Sequence, residues 1–565
     1  MTQGEKKHLT EKQRAVLFAI LMFGFMLLFF TVLHPIPIMD GDDISYTVLV
    51  RKAIPVPGAW NPARVLPEVM ITLCSMLSAL LTRLGAGTFI HCQVFVYAVI
   101  FSLFITAYFA AFRALLTANG IPDFTADGVM LFFVMLHFLI FRTKATQNLY
   151  MFHAYNACCV FYYTVPALLA AALVLWQMAG RDLQKIFTSG SIARKSLWLT
   201  LLYFSIYSNL FGSVLLVAFS GWKLLQGLVL WARASHTAKE RKESIGDPQA
   251  GEAEESAGAV ETPEMDVIGA GKQFFRNCRV HLLIVLFWLS AALLEATGGR
   301  AASLGIEDVD TSFLPNVGNA CSIFFRTIAE SNVVFRLLVV GLLLAGLVLW
   351  LWRKRNGDDA QEKAESVTEV SRQGDSDSEQ VAGREIWRGR YSGIFTDLLG
   401  CGLVSFVLLM PLLAAADPEY AARPEAIFVI VSVLFMLLAL ILCDVLEMLP
   451  WAGMLLPVAL ILMFGITNTR FLTFADSNQL EMNGHAAVRL ENEIYESIIA
   501  ATERGEKEIW VPVPKSNLAS NWPHIGNVGS LMTEFFYKYG IIDQPIKVHI
   551  VPSEEINERY DIHFP

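Results

Sequence analysis

The sequence predicts an all-α polytopic membrane protein with about thirteen transmembrane helices, within a range of 11–13. Hydrophobic residues make up 55% of the 565-residue chain, charged residues only 17%, and the mean hydropathy is +0.49. A soluble chain would carry about 25% charged residues. The apolar residues are also gathered into blocks, which excludes a soluble globule, a fibrous repeat and a disordered chain.

Crossing roughly 30 Å of hydrocarbon takes about twenty apolar residues in a helix. Eleven segments are good candidates, at 15–33, 65–83, 89–113, 127–142, 162–179, 210–231, 280–297, 332–352, 393–415, 425–446 and 451–467. Two shorter segments, 145–160 and 196–208, are ambiguous in length. Because Lys and Arg collect in cytoplasmic loops, placing all the basic clusters inside requires both to cross. The N-terminus is then cytoplasmic and the C-terminus extracytoplasmic.

Two polar linkers divide this membrane part. Residues 235–275 and 356–390 are rich in Gly, Ser and Glu, a composition that cannot bury enough apolar surface to fold alone. We therefore expect disordered cytoplasmic linkers between an N-terminal block (1–234), a central helix pair (276–355) and C-terminal helices (391–468). Residues 469–565 predict a small extracytoplasmic α/β domain, with helices at 485–504 and 528–539 and strands at 507–513 and 546–551.

Several function classes are excluded by absent patterns. The net charge of −9 is not accompanied by a basic patch, so no nucleic-acid partner is expected. The eight cysteines include no Cys-x-x-Cys pair, which argues against a disulfide framework and against a cysteine metal site. The sequence also lacks the phosphate-binding loop, dinucleotide, zincin and hydrolase motifs.

The first outer loop, 34–64, holds the most informative residues. Asp40, Asp42 and Asp43 lie within four positions, directly after the first apolar helix. Carboxylates placed there could accept a proton from a hydroxyl or bind a divalent cation. The alternative is a solvated turn, since Asp-Gly-Asp-Asp is favourable turn chemistry.

Cations on the predicted outer side form a second feature, because the positive-inside rule leaves few there. They are Arg64, Arg300, Arg326 and Arg423. A guanidinium binds phosphate through two parallel charge-assisted hydrogen bonds, and beside apolar helices this suits a lipid-phosphate ligand. The alternatives for each arginine are a snorkelling contact with headgroups or a salt bridge with Glu68 or Glu295.

Aromatic residues are concentrated at 150–166, with His153, Tyr155 and Tyr163 as candidates for contacts with a sugar or acceptor. Tyr46 and Trp60 of the first loop could serve in the same way. An interfacial aromatic belt would explain the concentration equally well.

Together these features resemble the GT-C superfamily of membrane glycosyltransferases. More narrowly, the chain is similar to the bacterial serotype-converting O-antigen glucosyltransferases and their uncharacterised relatives. These proteins show an acidic pair in the first loop followed by an aromatic residue and an Arg, as Asp42-Asp43 and Trp60…Arg64 do here. They often carry a Tyr-x-x-Pro segment, which Tyr163-Thr164-Val165-Pro166 matches.

Two further stretches extend the resemblance. Ala296-Thr297-Gly298-Gly299-Arg300 is similar to a small-Pro-Gly-x-x-Arg stretch, with Thr297 in place of Pro. An outer loop ending in Arg corresponds to 418–423, which ends at Arg423.

The resemblance implies an inverting enzyme in a bacterial cytoplasmic membrane. It would move a sugar from a polyprenyl-phosphate donor to a glycan or lipid-linked acceptor at the extracytoplasmic face. Asp42 or Asp43 would be the general base, and Arg64, Arg300 or Arg423 would bind the donor phosphate. No cofactor is obligatory, although Mg²⁺ or Mn²⁺ could bind at Asp40, Asp42 and Asp43.

Three other functions remain open on sequence grounds. A lipid-linked-sugar flippase or polysaccharide polymerase would share the lipid-phosphate ligand and the arginines, but a flippase would not need the acidic pair for turnover. A secondary transporter would show matched broken helices in two halves. An assembly protein would depend on its C-terminal domain instead of its first loop.

Overall fold

The computed structural model describes residues 10–38, 41–48, 51–140, 150–154, 157–245, 267–300, 313–368, 392–449, 484–515 and 525–562, with isolated positions 453, 457, 458 and 462. Asp40, Tyr155 and most of the predicted crossing at 451–467 lie outside these residues. In the described part the regular secondary structure of the membrane portion is helical, because its long apolar segments must satisfy their backbone hydrogen bonds internally.

The membrane portion contains fourteen described helices. Helix α1 (Glu11–Leu28) continues into a π-helical turn, Phe29–Leu33. The others are α2 (Gly41–Val48), α3 (Val65–Arg83), α4 (Phe89–Ala118), α5 (Asp123–Leu139), α6 (Ala157–Met178), α7 (Leu183–Ser189), α8 (Ile192–Ile206), α9 (Leu210–Ile245), α10 (Val267–Ala296), α11 (Phe313–Ala329), α12 (Val333–Thr368), α13 (Ser392–Ala416) and α14 (Pro424–Met448), with a 3₁₀ turn at Pro418–Ala422.

By length and composition, eight of the described helices could cross a membrane, or nine if α11 and the first part of α12, bent by 93°, form one span. The chain is therefore a multi-pass helical membrane protein, as predicted. The count of thirteen crossings stays a prediction.

The first loop, 34–64, lies at one end of the helical bundle, and this end is called the loop end. Helices α1 and α4 are antiparallel, since Phe30 packs on Phe101 with ring centroids 4.7 Å apart, while Arg113 lies over the Phe18 ring. The start of α4 therefore lies where α1 ends. Phe89 there shares an apolar core with Ile38.

Helix α3 begins and ends at this loop end. Its first turn is joined to α2 through Asn61, whose Nδ2 donates to the Tyr46 hydroxyl at 2.9 Å and to the Glu68 carboxylate at 3.1 Å. Near its other end, Ala79 shares the apolar core that contains Phe89. This packing joins both ends of α3 to the loop end, and α3 remains one of the eight helices that could cross a membrane.

Two helices run on into the segments expected to be linkers. Helix α9 continues to Ile245 and α10 begins at Val267, so the helical part extends beyond the predicted bounds of 235 and 275. Helix α12 likewise reaches Thr368. Ala, Glu and Lys favour helix even where no apolar surface is buried. The residues between these ends lie outside the described part.

The C-terminal domain, 484–562, is a two-stranded parallel sheet with three helices. Helix α15 (Gly484–Glu503) is followed by β1 (Glu508–Pro514), α16 (Ile525–Lys538), β2 (Lys547–Ser553) and α17 (Glu554–Tyr560). Trp510 of β1 lies opposite His549 of β2. Helix α15 stops before Gly505, whose φ of +75° favours glycine. The elements lie within a few residues of their expected positions.

Candidate active site at the loop end

The acidic pair of the first loop opens helix α2 and is not a turn. Asp42 and Asp43 occupy its first turn, where the helix dipole favours negative charge. Their surroundings differ. Asp42 is exposed, whereas Asp43 is 1% exposed and its Oδ1 accepts a hydrogen bond from the backbone N–H of Cys158 at 2.5 Å. Asp43 thus joins α2 to the start of α6, whereas the Asp42 side chain is exposed.

Arg64 lies immediately before α3 and is held against α10. Its Nε is 3.4 Å from Glu295 Oε2, and its guanidinium lies over the Tyr162 ring at 5.5 Å. Glu295 Oε1 also accepts the Ala63 backbone N–H at 2.8 Å. A salt bridge to Glu295 was one of the alternatives that the sequence left open. Among the described residues, buried Nη1 of Arg64 has no hydrogen-bond partner, so this guanidinium keeps a donor available for another anion.

Arg300 and Arg423 meet at Tyr420 of the 3₁₀ turn. Arg300 Nη2 donates to the Tyr420 hydroxyl at 3.3 Å. The Arg423 guanidinium lies over the Tyr420 ring at 4.8 Å and over the Tyr163 ring at 5.6 Å, and its Nε donates to Glu425 at 2.7 Å. Two arginines far apart in sequence therefore share one aromatic cluster.

Two adjacent cysteines at the start of α6 connect helix α2, which carries the acidic pair, to the cluster of Arg300 and Arg423. Cys158 donates its N–H to Asp43, and Cys159 Sγ accepts a hydrogen bond from Arg423 Nη2 at 3.5 Å. The first loop and the 418–423 turn thus flank the same start of α6. Arg326, the fourth cation of the predicted outer side, is exposed on α11.

A π-helical turn at Val160–Thr164 directs two consecutive tyrosines into the site. Tyr162 donates to Glu68 at 2.7 Å on one side, while Tyr163 lies beneath Arg423 on the other. Such turns are rare inside α-helices and are frequent at functional sites. The Tyr-x-x-Pro segment therefore contributes to the site through Tyr162 as well as through Tyr163.

The remaining sugar-contact candidates have different settings. Tyr46 is packed on Tyr162 at 5.2 Å, and burial raises the pKa of its phenol to about 12. The Trp60 side chain is 55% exposed, and its carbonyl accepts the Arg300 backbone N–H at 3.2 Å. The Trp60 side chain is therefore accessible to a ligand, whereas the Tyr46 ring is packed against Tyr162.

His153 lies in a buried aromatic group beside the site. Its ring stacks on Tyr150 with centroids 5.8 Å apart and is 6.2 Å from the His34 ring. Burial, with smaller effects of His34 and Arg423, lowers the pKa of His153 to about 3. His153 is therefore neutral at physiological pH.

A buried polar network missed by the sequence reasoning supports the loop. Arg51 pairs with Glu68 and donates to the carbonyls of Asn61 and Pro62, both at 2.7 Å. Glu68 also accepts from Asn61 and Tyr162. Arg51 is a further cation in the predicted outer loop, so the charge rule that singled out Arg64 could have found it.

No described group of three His, Cys, Asp or Glu side chains could hold a metal ion. Asp40 lies outside the described residues, and Asp43 already accepts from Cys158. A divalent cation at Asp40, Asp42 and Asp43 stays a prediction.

The site thus combines the exposed carboxylate of Asp42, the guanidinium groups of Arg64, Arg300 and Arg423, and aromatic side chains at one end of a helical bundle. Comparison with known proteins does not extend this description: no family model, curated protein or solved structure matches the chain.

Proposed function

We propose that the protein is a membrane glycosyltransferase of the GT-C type. It takes a sugar from a polyprenyl-phosphate donor and passes it to a glycan or lipid-linked acceptor. One observation carries the proposal: Asp43, the neighbour of exposed Asp42, and Arg423 contact the adjacent residues Cys158 and Cys159 at the start of α6. Arg300 joins the same cluster through Tyr420. A base and a phosphate-binding cluster are the two groups that such a transfer needs.

Asp42 is the general base in this proposal. It removes the proton from an acceptor hydroxyl as that oxygen attacks C1 of the donor sugar. The bond between C1 and the phosphate oxygen breaks, the configuration at C1 inverts, and the electron pair leaves with the polyprenyl phosphate. Asp43 positions the base by holding α2 against Cys158.

The arginines stabilise the departing phosphate, whose negative charge grows as the bond breaks. Fixed cations act most strongly where water is excluded, and the walls of Tyr163 and Tyr420 provide such surroundings. Arg64 contributes its available Nη1 donor. The apolar helices below accommodate the polyprenyl chain, and Trp60 contacts the sugar or acceptor.

We place the loop end outside the cytoplasm of a bacterial cell. The basic N-terminus and the basic ends of α9 and α10 then lie in the cytoplasm, in agreement with the positive-inside rule. The C-terminal domain shares an apolar core with Ile44 and Phe89 of the loop end, so it lies on the same side.

The test is sugar transfer in liposomes from a panel of polyprenyl-phosphate sugars. Asp42→Asn should lower turnover by about 10²–10⁴-fold, the typical contribution of a general base. Asp43→Asn should lower it by less than about tenfold, because its amide oxygen can still accept the Cys158 N–H. Asp417→Asn is the matched control, since Asp417 is an exposed aspartate beside Tyr420 whose capping role asparagine can keep.

Three results would contradict the proposal. The enzyme class fails if the wild type transfers no sugar from any donor; a flippase or transporter then becomes the better hypothesis. The carboxylate mechanism fails if the wild type transfers sugar and all variants match it. The assignment of the base fails if Asp43→Asn loses turnover while Asp42→Asn keeps it.

A further inference from the structure

The apolar side of α2 belongs to the core of the C-terminal domain. Ile44, next to Asp43 in sequence, is 1% exposed and shares its core cluster with Leu490 and Ile494 of α15 and Phe536 of α16. Helix α2 is therefore enclosed between the domain and the bundle.

The domain is joined to the bundle at several further points. Asn492 Oδ1 accepts a hydrogen bond from the Thr88 hydroxyl at 2.5 Å. The Phe89 ring at the start of α4 lies 5.5 Å from Phe535 and 5.1 Å from Phe536. These contacts join α15 and α16 to the same end of the bundle that carries α2.

The domain also buries a carboxyl group whose pKa is affected by the charge of Asp43 in α2. Glu491 of α15 is 2% exposed. Burial, and then the Asp43 charge, raises the pKa of Glu491 well above its usual range. Asp43 itself is held by the Cys158 N–H of the bundle. An eight-residue helix is too short to be stable by itself, so its neighbours must determine where its carboxylates lie.

We propose that the C-terminal domain is a positioning unit of the active site, which clamps α2 so that Asp42 faces the arginine cluster. This inference rests on the proposed function for its catalytic consequence. Its structural part, that the domain holds α2 in place, is tested independently of activity.

Ile44→Ala tests the clamp, and Ile556→Ala is its matched control. Ile556 is 3% exposed in the same core but belongs to α17, which follows β2 at the end of the domain. We expect Ile44→Ala to speed amide hydrogen exchange over 41–48 and to lower kcat at least tenfold, since displacement of a reacting group by about 1 Å can cost 10²-fold. The KM for the donor should change less than about twofold, because only the transition state is affected. Ile44→Val should restore most of the turnover.

Ile556→Ala should leave exchange over 41–48 and kcat near the wild-type values. If both alanine variants lower kcat equally without selective exchange over 41–48, the domain only stabilises the protein and the clamp is wrong. If exchange responds selectively but the wild type transfers no sugar, the clamp stands and the proposed function fails.

A cross-link separates a fixed clamp from a moving lid. Thr88→Cys with Asn492→Cys joins α15 to the bundle where the two side chains already touch. Oxidation of this pair should leave turnover within about twofold of the reduced protein, since a clamp need not open. Loss of turnover on oxidation, with recovery on reduction, would show that the domain must move and would overturn the fixed clamp.

Discussion

The buried pair of Arg51 and Glu68 should be one of the most sensitive points of the loop end. Their side chains are 10% and 8% exposed, and each has further partners. Glu68→Gln would leave the Arg51 guanidinium buried without its counter-charge. Removing one member of a buried ion pair costs about 3–5 kcal/mol, and we expect a loss of this size in the free energy of unfolding.

Arg51→Met should cost as much for an additional reason. It leaves the buried Glu68 carboxylate without its counter-charge. It also removes the two Arg51 donors that lie 2.7 Å from the carbonyl oxygens of Asn61 and Pro62. The double variant, Arg51→Met with Glu68→Gln, no longer contains a buried charge without a counter-charge. Its cost should therefore be smaller than the sum of the single costs, by up to about 3 kcal/mol for groups in direct contact.

The measurement is equilibrium unfolding in mixed micelles of increasing SDS fraction, followed by tryptophan fluorescence. Arg559→Met with Glu493→Gln is the control cycle, because that pair is about half exposed on the C-terminal domain. Exposed pairs contribute roughly 0–1 kcal/mol. Additive costs at Arg51 and Glu68, or single costs below about 1 kcal/mol, would refute the reasoning that this pair is buried and essential to the loop.

Three further predictions concern other parts of the molecule. A Cβ at Gly298 would lie 2.5 Å from Cδ of Pro62, so Gly298→Ala should cost about 1–3 kcal/mol by overpacking; Gly341→Ala, with open space around it, should cost nothing in the same unfolding assay. Arg423→Lys cannot keep the forked hydrogen bonds of a guanidinium and should lower kcat/KM for the donor by about 10–100-fold, whereas an unchanged value would exclude a phosphate role. Burial, and then the Asp43 charge, raises the pKa of Glu491 well above its usual range. Above about pH 4.3 the unfolded chain has lost this proton, whereas the folded protein keeps it on Glu491. The free energy of unfolding therefore falls as the pH rises from about 4.3 towards the raised pKa. Glu491→Gln should match the wild-type thermal midpoint near pH 4 and exceed it at pH 7–8; equal midpoints at both pH values would contradict this.

Much of the architecture is readable from local composition. Long apolar runs can only be helices in lipid, and Gly505 and the alternation around Trp510 indicate a helix end and a strand by short-range rules. The same rules predicted the polar segments but misplaced their bounds. A helix such as α9 continues past its apolar part for as long as its residues favour helix, and hydropathy does not register that preference.

The composition of the site was only partly predictable. The sequence predicts Asp42, Arg64, Arg300 and Arg423 as charges on one side of a membrane. In the structure the neighbour of Asp42 and Arg423 contact the start of α6, and Arg300 reaches Arg423 through Tyr420. Charge and position in the sequence identify such residues one at a time. Hydrogen-bond partners cannot be identified in this way, because the pairing of Arg51 with Glu68 depends on how one loop folds over one helix.

The sequence by itself determined that this protein is a helical, multi-pass membrane protein with a small α/β domain and an acidic first loop, because these properties follow from composition and short-range periodicity. Only the tertiary structure decided that Asp43 is buried while Asp42 is exposed, and that the apolar side of α2 packs into the core of the C-terminal domain. Adjacent aspartates are equivalent in sequence, and what distinguishes them is a backbone N–H supplied by a residue 115 positions away. Such long-range contacts depend on how the helices pack, and no local pattern records them.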